Sequence, residues 1–187
     1  MWPSRAYLAS YRDALHRGWS PDNVRGDTAR REELGKIEAD ADAFLAGLVD
    51  REARGGPITF PDGTTVQRLP GYRRWMWDGG FVGTIGLRWQ PGTDALPPHV
   101  LGHIGYAVVP WRRGRGYATA ALRLLLPEAR AEGLTQVELT VEPHNLASRH
   151  VIEENGGIFV EAFVAPEAYG HKHGLRYRIP LDPPPGR

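Results

Sequence analysis

The sequence predicts an α+β fold in one domain: helices first, then short strands, then alternation of strands and helices. Three observations predict it. Residues 1–56 carry apolar side chains at helical spacings of three and four. Residues 57–89 break into short apolar runs separated by turns containing Gly or Pro. From Ile104 onward, β-branched runs alternate with helical ones. The chain is long enough for this: 187 residues, 41% of them hydrophobic, can bury a core of their own.

The elements follow in order. Tyr7, Leu8, Tyr11, Leu15 and Trp19 mark an amphipathic helix that ends near Gly18. Ser20-Pro21-Asp22-Asn23 is a turn. Thr28 to Ala53 reads as a second helix, with Leu34, Ile37, Ala41, Phe44, Leu45 and Leu48 in one stripe; Arg54-Gly55-Gly56-Pro57 stops it. Ile58-Thr59-Phe60 and Thr65 to Leu69 flank a hairpin turn, Pro61-Asp62-Gly63-Thr64. Tyr72 to Trp77 and Phe81 to Trp89 flank a second one, Asp78-Gly79-Gly80. Trp75, Trp77 and Trp89 read as core or sheet-face residues rather than a ligand cage. Gln90 to Pro98 is a loop, and Ile104 to Val109 is a strand that Pro110 ends, because proline has no N–H for the ladder.

A helix follows from Thr119, with Pro127 inside a pattern that continues to Ala131; this predicts a kink or a restart at Pro127. Gly133 ends it. Val137 to Val141 alternates as a half-buried strand. Asn145 to Glu154 is a third major helix, capped by Asn145 and stopped by Asn155-Gly156-Gly157. Ile158 to Val164 and Arg176 to Ile179 are the last strands, and Leu181 to Arg187, rich in proline, is expected to fray. No linker divides the chain, so a helical segment 1–56, a core 57–180 and a tail 181–187 are expected as parts of one domain.

Composition excludes several functions. The formal net charge of +1 and scattered arginines argue against nucleic acid or an anionic membrane as partner. There is no cysteine, hence no disulfide framework, thiolate metal site or cysteine nucleophile. His171-x-His173 lacks a third metal ligand at an obvious spacing, so no metal is expected. No apolar run reaches membrane-spanning length and the N-terminus lacks a signal peptide's apolar core, which predicts a cytoplasmic protein.

The chemistry gathers at Gly105 to Thr119: a strand, a basic glycine-rich turn, and a helix start. The first N–H groups of a helix have no internal partners and the dipole adds about half a positive charge, which makes an anion site. Gly114 and Gly116 let the backbone approach a phosphate, and Arg112, Arg113 and Arg115 surround them. A P-loop would need Lys-Ser/Thr where Tyr117-Ala118 stands, and a dinucleotide fingerprint would need glycine at Thr119.

Arg113-x-x-Gly116-x-Ala118 instead resembles the Arg/Gln-x-x-Gly-x-Gly/Ala signature of the Gcn5-related N-acetyltransferases, the GNAT family. Asn145-x-x-Ser148 and Asn155-Gly156-Gly157 resemble that family's second motif, one helix and one strand downstream. Gly102-His103-Ile104-Gly105-Tyr106 is similar to a bacterial branch of it. The resemblance covers roughly residues 72–164. It implies a mixed, mostly antiparallel central sheet of six to seven strands flanked by helices, the N-terminal helical segment being extra. It implies acetyl-coenzyme A as co-substrate, an amine as acceptor, and a homodimer built on edge strands.

In the family the loop amides hold the coenzyme's pyrophosphate, which assigns that role here to Arg113, Gly114, Arg115, Gly116, Tyr117, Ala118 and Thr119. The pantetheine arm pairs with the strand at Val108 and Val109, where a bulge frees an N–H for the thioester carbonyl. Asn145 and Ser148 lie beside that arm. A tyrosine seven residues after the motif asparagine often serves as general acid; that position here is Ile152, which has no proton to give. Tyr169 and Tyr177, in the segment that borders the pocket, are the candidate acids, and Tyr169 enters the expected catalytic set. His103 is the first candidate base, since imidazole titrates near neutrality, and Glu142 the second. The N-terminal helices, the Gln90–Pro98 loop and the Ala165–His173 loop are expected to wall the acceptor site. Glu32, Glu33, Glu38, Asp40 and Asp42 offer charge for a cationic amine, or a solvated helix face. The sequence thus predicts an acetyl-coenzyme A-dependent N-acetyltransferase; the alternative is an acyl-coenzyme A-binding regulatory module without turnover.

Overall fold

The computed structural model describes residues 1–59 and 63–181. Phe60, the first two residues of the expected 61–64 turn, and the tail from 182 lie outside them. Leu181, expected to fray, is buried, and its N–H donates to the Thr135 carbonyl at 2.8 Å. Five α-helices and nine strands are seen among the described residues: α1 (Arg5–His16), α2 (Gly26–Ala39), α3 (Ala41–Gly47), β1 (Val49–Asp50), β2 (Ile58–Thr59), β3 (Thr65–Val66), β4 (Gly71–Trp77), β5 (Phe81–Arg88), β6 (Ile104–Val108), α4 (Tyr117–Ala131), β7 (Gln136–Val141), α5 (Leu146–Glu153), β8 (Ile158–Val164) and β9 (His173–Pro180).

Seven strands form the central sheet in two halves, ordered β1-β4-β5-β6 and β7-β9-β8, and every ladder within them is antiparallel. β2 and β3 make a separate ribbon. Each face of the sheet carries its own core. On one, Leu122 and Leu125 of α4 and Ile152 of α5 pack on Ile85, Leu87, Ile104, Val137 and Leu139. On the other, Leu8, Tyr11, Leu15, Ile37 and Phe44 of the N-terminal helices pack on Trp75, Phe81, Ala107 and Val109. Tyr11 stacks on Trp75, ring centroids 4.6 Å apart, and Trp75 is fully buried. Trp89 is buried as well, and Trp77 packs against the second core.

Two expectations are corrected. The helix expected from Thr28 to Ala53 is two helices and a strand. The carboxylate of Asp40, whose backbone is extended, accepts the N–H groups of Asp42 and Ala43, both at 3.0 Å. That cap restarts the chain at a new angle, which amphipathic spacing alone does not reveal. Val49 and Asp50 then pair with Tyr72 and Gly71, a long-range ladder invisible to local periodicity. Second, α4 is a single helix through Pro127, so the chain does not restart there. It ends with the Leu134 and Gly133 N–H groups on the Ala129 and Arg130 carbonyls, Gly133 at φ +92°.

Among the described residues no helix is long and apolar enough to cross a membrane. Replacing Asp40 by Ala leaves two first-turn N–H groups of α3 without their acceptor. It is expected to lower the unfolding free energy by about 1 kcal/mol in urea denaturation, with the m-value unchanged.

Candidate functional site

The two half-sheets touch at one place. The His103 N–H donates to the Glu138 carbonyl at 2.8 Å, and the Glu138 N–H donates to His103 Nδ1 at 2.9 Å. A Cβ on the preceding Gly102 would lie 2.9 Å from the Glu138 carbonyl oxygen, so only glycine lets β7 come this near. Strands joined by one helix, as β6 and β7 are by α4, run the same way. From the clasp they proceed toward Val108 and Val141, and no further ladder joins them among the described residues. A cleft therefore opens between them.

The β5–β6 ladder decides which groups face that cleft. The Val109 N–H donates to Val82 at 2.9 Å, and the His103 carbonyl accepts from Arg88 at 2.9 Å. Because backbone groups alternate along an antiparallel strand, Gly105, Ala107 and Val109 turn theirs toward β5, while Tyr106 and Val108 turn theirs toward β7. Of the expected Val108–Val109 pair, Val108 has the free N–H.

Beyond the cleft mouth lies the loop. Gly114 and Gly116 have φ of +72° and +75°, and a Cβ on either would meet nothing within 4 Å. Left-handed backbone, not crowding, selects glycine there. Gly116 caps α4, and the Ala120 N–H is the first to find a helical carbonyl, that of Gly116, at 2.9 Å. The N–H groups of Tyr117, Ala118 and Thr119 precede it at the open helix end, where no acidic residue occupies the first turn. Arg113 and Arg115 are exposed beside them. Arg113 Nε donates to the Val108 carbonyl at 3.1 Å, joining loop to cleft. The Tyr117 hydroxyl donates to the Asp78 carboxylate, which fixes the start of α4 to the β4–β5 turn.

Asn145 Oδ1 accepts the Ser148 N–H at 3.1 Å and so caps α5. Ser148 Oγ lies 2.8 Å from the hydroxyl of Tyr106, which rises from β6 across the cleft. Burial pushes the Tyr106 phenol up to about 12, the Ser148 hydrogen bond opposing the shift. Ile152 is fully buried in the core, so a hydroxyl at that helix position would be sealed from the cleft. Tyr106 is a residue the sequence reading passed over. Its signal was position: two residues before Val108, hence on the same face of the strand.

The expected catalytic residues lie apart. His103 is at the closed end, fully buried. Its Nδ1 lone pair is engaged, and its Nε2 faces the backbone of Asp94 without a well-formed hydrogen bond. Desolvation lowers its pKa, against the opposing pull of Glu138 and Asp94. Glu142 follows the end of β7 at the open end, holding Lys172 at 2.9 Å and His144 at 3.2 Å. Tyr169 belongs to the β8–β9 connection; its hydroxyl donates to the His99 carbonyl at 2.8 Å and burial raises its pKa. That bond ties the Ala165–His173 loop to the residue just after the Gln90–Pro98 loop. Tyr177 is buried, its hydroxyl donating to Glu153 and accepting from Arg149. Among the described residues no three His, Cys, Asp or Glu side chains converge as a metal site.

Residues 38–157 match the model of a family described as the acetyltransferase (GNAT) family. No curated protein sequence matches the chain. The microcin C7 self-immunity acetyltransferase MccE, in complex with acetyl-CoA and AMP, is 11% identical and superposes with a TM-score of 0.62 over 96% of this chain and 90% of its own. The yncA protein of Salmonella typhimurium, with its cofactor acetyl-CoA, is 16% identical, with a TM-score of 0.50 over 93% and 86%. An acetyltransferase (GNAT family) from Bacillus anthracis is 24% identical over 55% of this chain, with a TM-score of 0.44; the chain spans 60% of that protein's length. At these identities the first two superpositions establish a shared fold.

The clasp predicts a pH dependence. A histidine whose folded pKa is depressed contributes stability above its unfolded value, about 6.5, that is lost as pH falls toward the folded value. Unfolding free energy is expected to fall below pH ~6.5 by up to about 1.4 kcal/mol per unit. His103→Leu is expected to flatten that slope and, at about pH 8, to cost about 1–3 kcal/mol because the Glu138 N–H loses its acceptor. Urea titrations of both proteins across that range check it.

Proposed function

The chain belongs to the GNAT family of acetyltransferases, and on that premise we propose that it moves an acetyl group from acetyl-coenzyme A directly to an amine. One observation carries this reading: the cleft between β6 and β7 opens beside an exposed, cationic glycine turn at a helix N-terminus. Its residues fit a diphosphate: left-handed glycines with open space above them, unpaired helix N–H groups, and Arg113 and Arg115. The Val108 N–H and carbonyl, facing the cleft, suit the amides of a pantetheine arm. Asn145 and Ser148 form the opposite wall.

Acetyl-coenzyme A supplies an activated acyl carbon and a thiolate leaving group. The chain's part is to orient, polarise and move protons. The Val108 N–H is aimed where a carbonyl oxygen gains charge. Glu142, at the open end, receives the proton of the attacking amine. Tyr106, with its phenol held protonated, returns one to the departing sulfur, taking the role denied to Ile152. His103 positions: its lone pair is spent on the clasp. Tyr169 walls the acceptor side. The reading extends to a cytoplasmic bacterial enzyme whose homodimer forms on β8, where Ile158, Phe159, Val160 and Val164 are exposed.

Calorimetric titration with acetyl-coenzyme A tests the loop. Arg113→Glu and Gly116→Glu are each expected to weaken binding at least about tenfold; if neither does, the assignment fails. Tyr106→Phe is expected to lower kcat by about a hundredfold with the KM for acetyl-coenzyme A unchanged. Equal rates for Tyr106→Phe and the parent would remove Tyr106 from the proton path.

A further inference from the structure

The acceptor side holds an arginine that pairs with no carboxylate among the described residues. Arg88 ends β5. Its Nη2 lies 3.6 Å from the place a Cβ on Gly105 would take, so the guanidinium covers the exposed backbone of β6 just past the clasp. Gly105 pairs with Gly86 across the ladder, and the two leave a strip of sheet without side chains. The guanidinium forms no hydrogen bond or ion pair among the described residues. Arg88 is exposed, yet desolvation by the groups around it depresses its pKa.

The groups that act on it are Tyr169, Arg73 and Asp22. Each is occupied. Tyr169 donates to His99. Arg73 is paired with Glu33 at 2.7 Å. Asp22 accepts the Val24 and Arg25 N–H groups at 2.8 and 2.9 Å and the Arg25 guanidinium at 3.3 Å. Of the five acidic residues offered for a cation, four are engaged: Glu32 on Arg25, Glu33 on Arg73 and Tyr11, Asp40 on the α3 cap, Asp42 on Arg5. Among the described residues the Arg88 guanidinium keeps its positive charge without an ion-pair partner.

We infer that Arg88 is the anchor for an anionic group of the acceptor, so that the acceptor is an amine bearing a carboxylate or a phosphate rather than a polycation. This rests on the acetyl-transfer reading. Gly105 is three residues before Val108, so anchor and acetyl position are separated by roughly 10 Å along the strand. An amine with its anion a few bonds away spans that distance, and a guanidinium binds either oxyanion through paired N–H donors.

The test measures acceptor binding by calorimetry on protein saturated with coenzyme A, using matched pairs. Alanyl-alanine against its C-terminal amide probes the carboxylate, phosphoethanolamine against ethanolamine the phosphate, and spermidine the polycation. The anionic member of at least one pair is expected to bind about 10- to 100-fold more tightly, and Arg88→Gln to erase that gap while leaving the neutral member and coenzyme A unchanged. Which pair shows the gap identifies the oxyanion. Equal binding within both pairs, no binding of any member, tighter binding of spermidine, or a gap that survives Arg88→Gln overturns the inference. Failure of coenzyme A itself to bind strikes the acetyl-transfer reading instead.

Discussion

The clasp between His103 and Glu138 is the constraint on which the site depends. One backbone carbonyl, two N–H groups and one imidazole nitrogen hold the half-sheets together between His103 and Glu138. Were the ladder to continue, Val108 would spend its N–H and carbonyl on β7, and no cleft would exist. The clasp is reinforced behind itself. The Glu138 carboxylate takes Arg176 and Arg178, each at 2.9 Å, and Arg176 also donates to the Leu101 carbonyl. Desolvation alone would raise the Glu138 pKa, but Arg178 and Arg176 hold it below the ordinary value, so the carboxylate stays charged where it ties β9 to the start of β6. A neutral imidazole and a charged carboxylate thus share one buried corner without conflict.

Electrostatics divides the open end into two regions. At the loop, the field comes from backbone N–H groups, the α4 dipole and arginines exposed to solvent. Past the clasp it comes from the Arg88 guanidinium, whose described neighbours are already paired. The N-terminal helices are rich in acid when read as a string, yet in space Glu32, Glu33, Asp40 and Asp42 are held in ion pairs and a cap. Asp42 meets Arg5 across 37 positions and Glu33 meets Arg73 across 40, so their charge is unavailable to a ligand. The same helices cover the second core through Tyr11, Leu15 and Phe44.

Much of the fold was legible in the chain because its signals are local. Alternation placed β7, with Val137, Leu139 and Val141 inward. Gly133 and Asn145 marked a helix end and a helix start through their own backbone and side-chain chemistry. Asp40 was read as one more charge on a helix face, although its type is that of a cap; the break it makes depends on an extended φ that spacing does not encode. β1 was lost for the opposite reason, because two residues carry no period and become a strand only against Tyr72 and Gly71.

By itself the sequence determined the loop: two glycines at left-handed positions, a helix start after them and arginines around them are properties of neighbours along the chain. It determined the second motif and its cap for the same reason. Only the tertiary structure decided which residues meet at the cleft. His103, read as a base for its pKa, is a strap because Glu138 lies 35 positions away in sequence and a hydrogen bond away in space. Tyr106 reaches Ser148 across 42 positions, and Arg88 has no ion-pair partner among the described residues because Asp22, Arg73 and Tyr169 found theirs elsewhere. Backbone conformation is a local quantity, whereas the availability of a lone pair or a charge depends on every element packed around it.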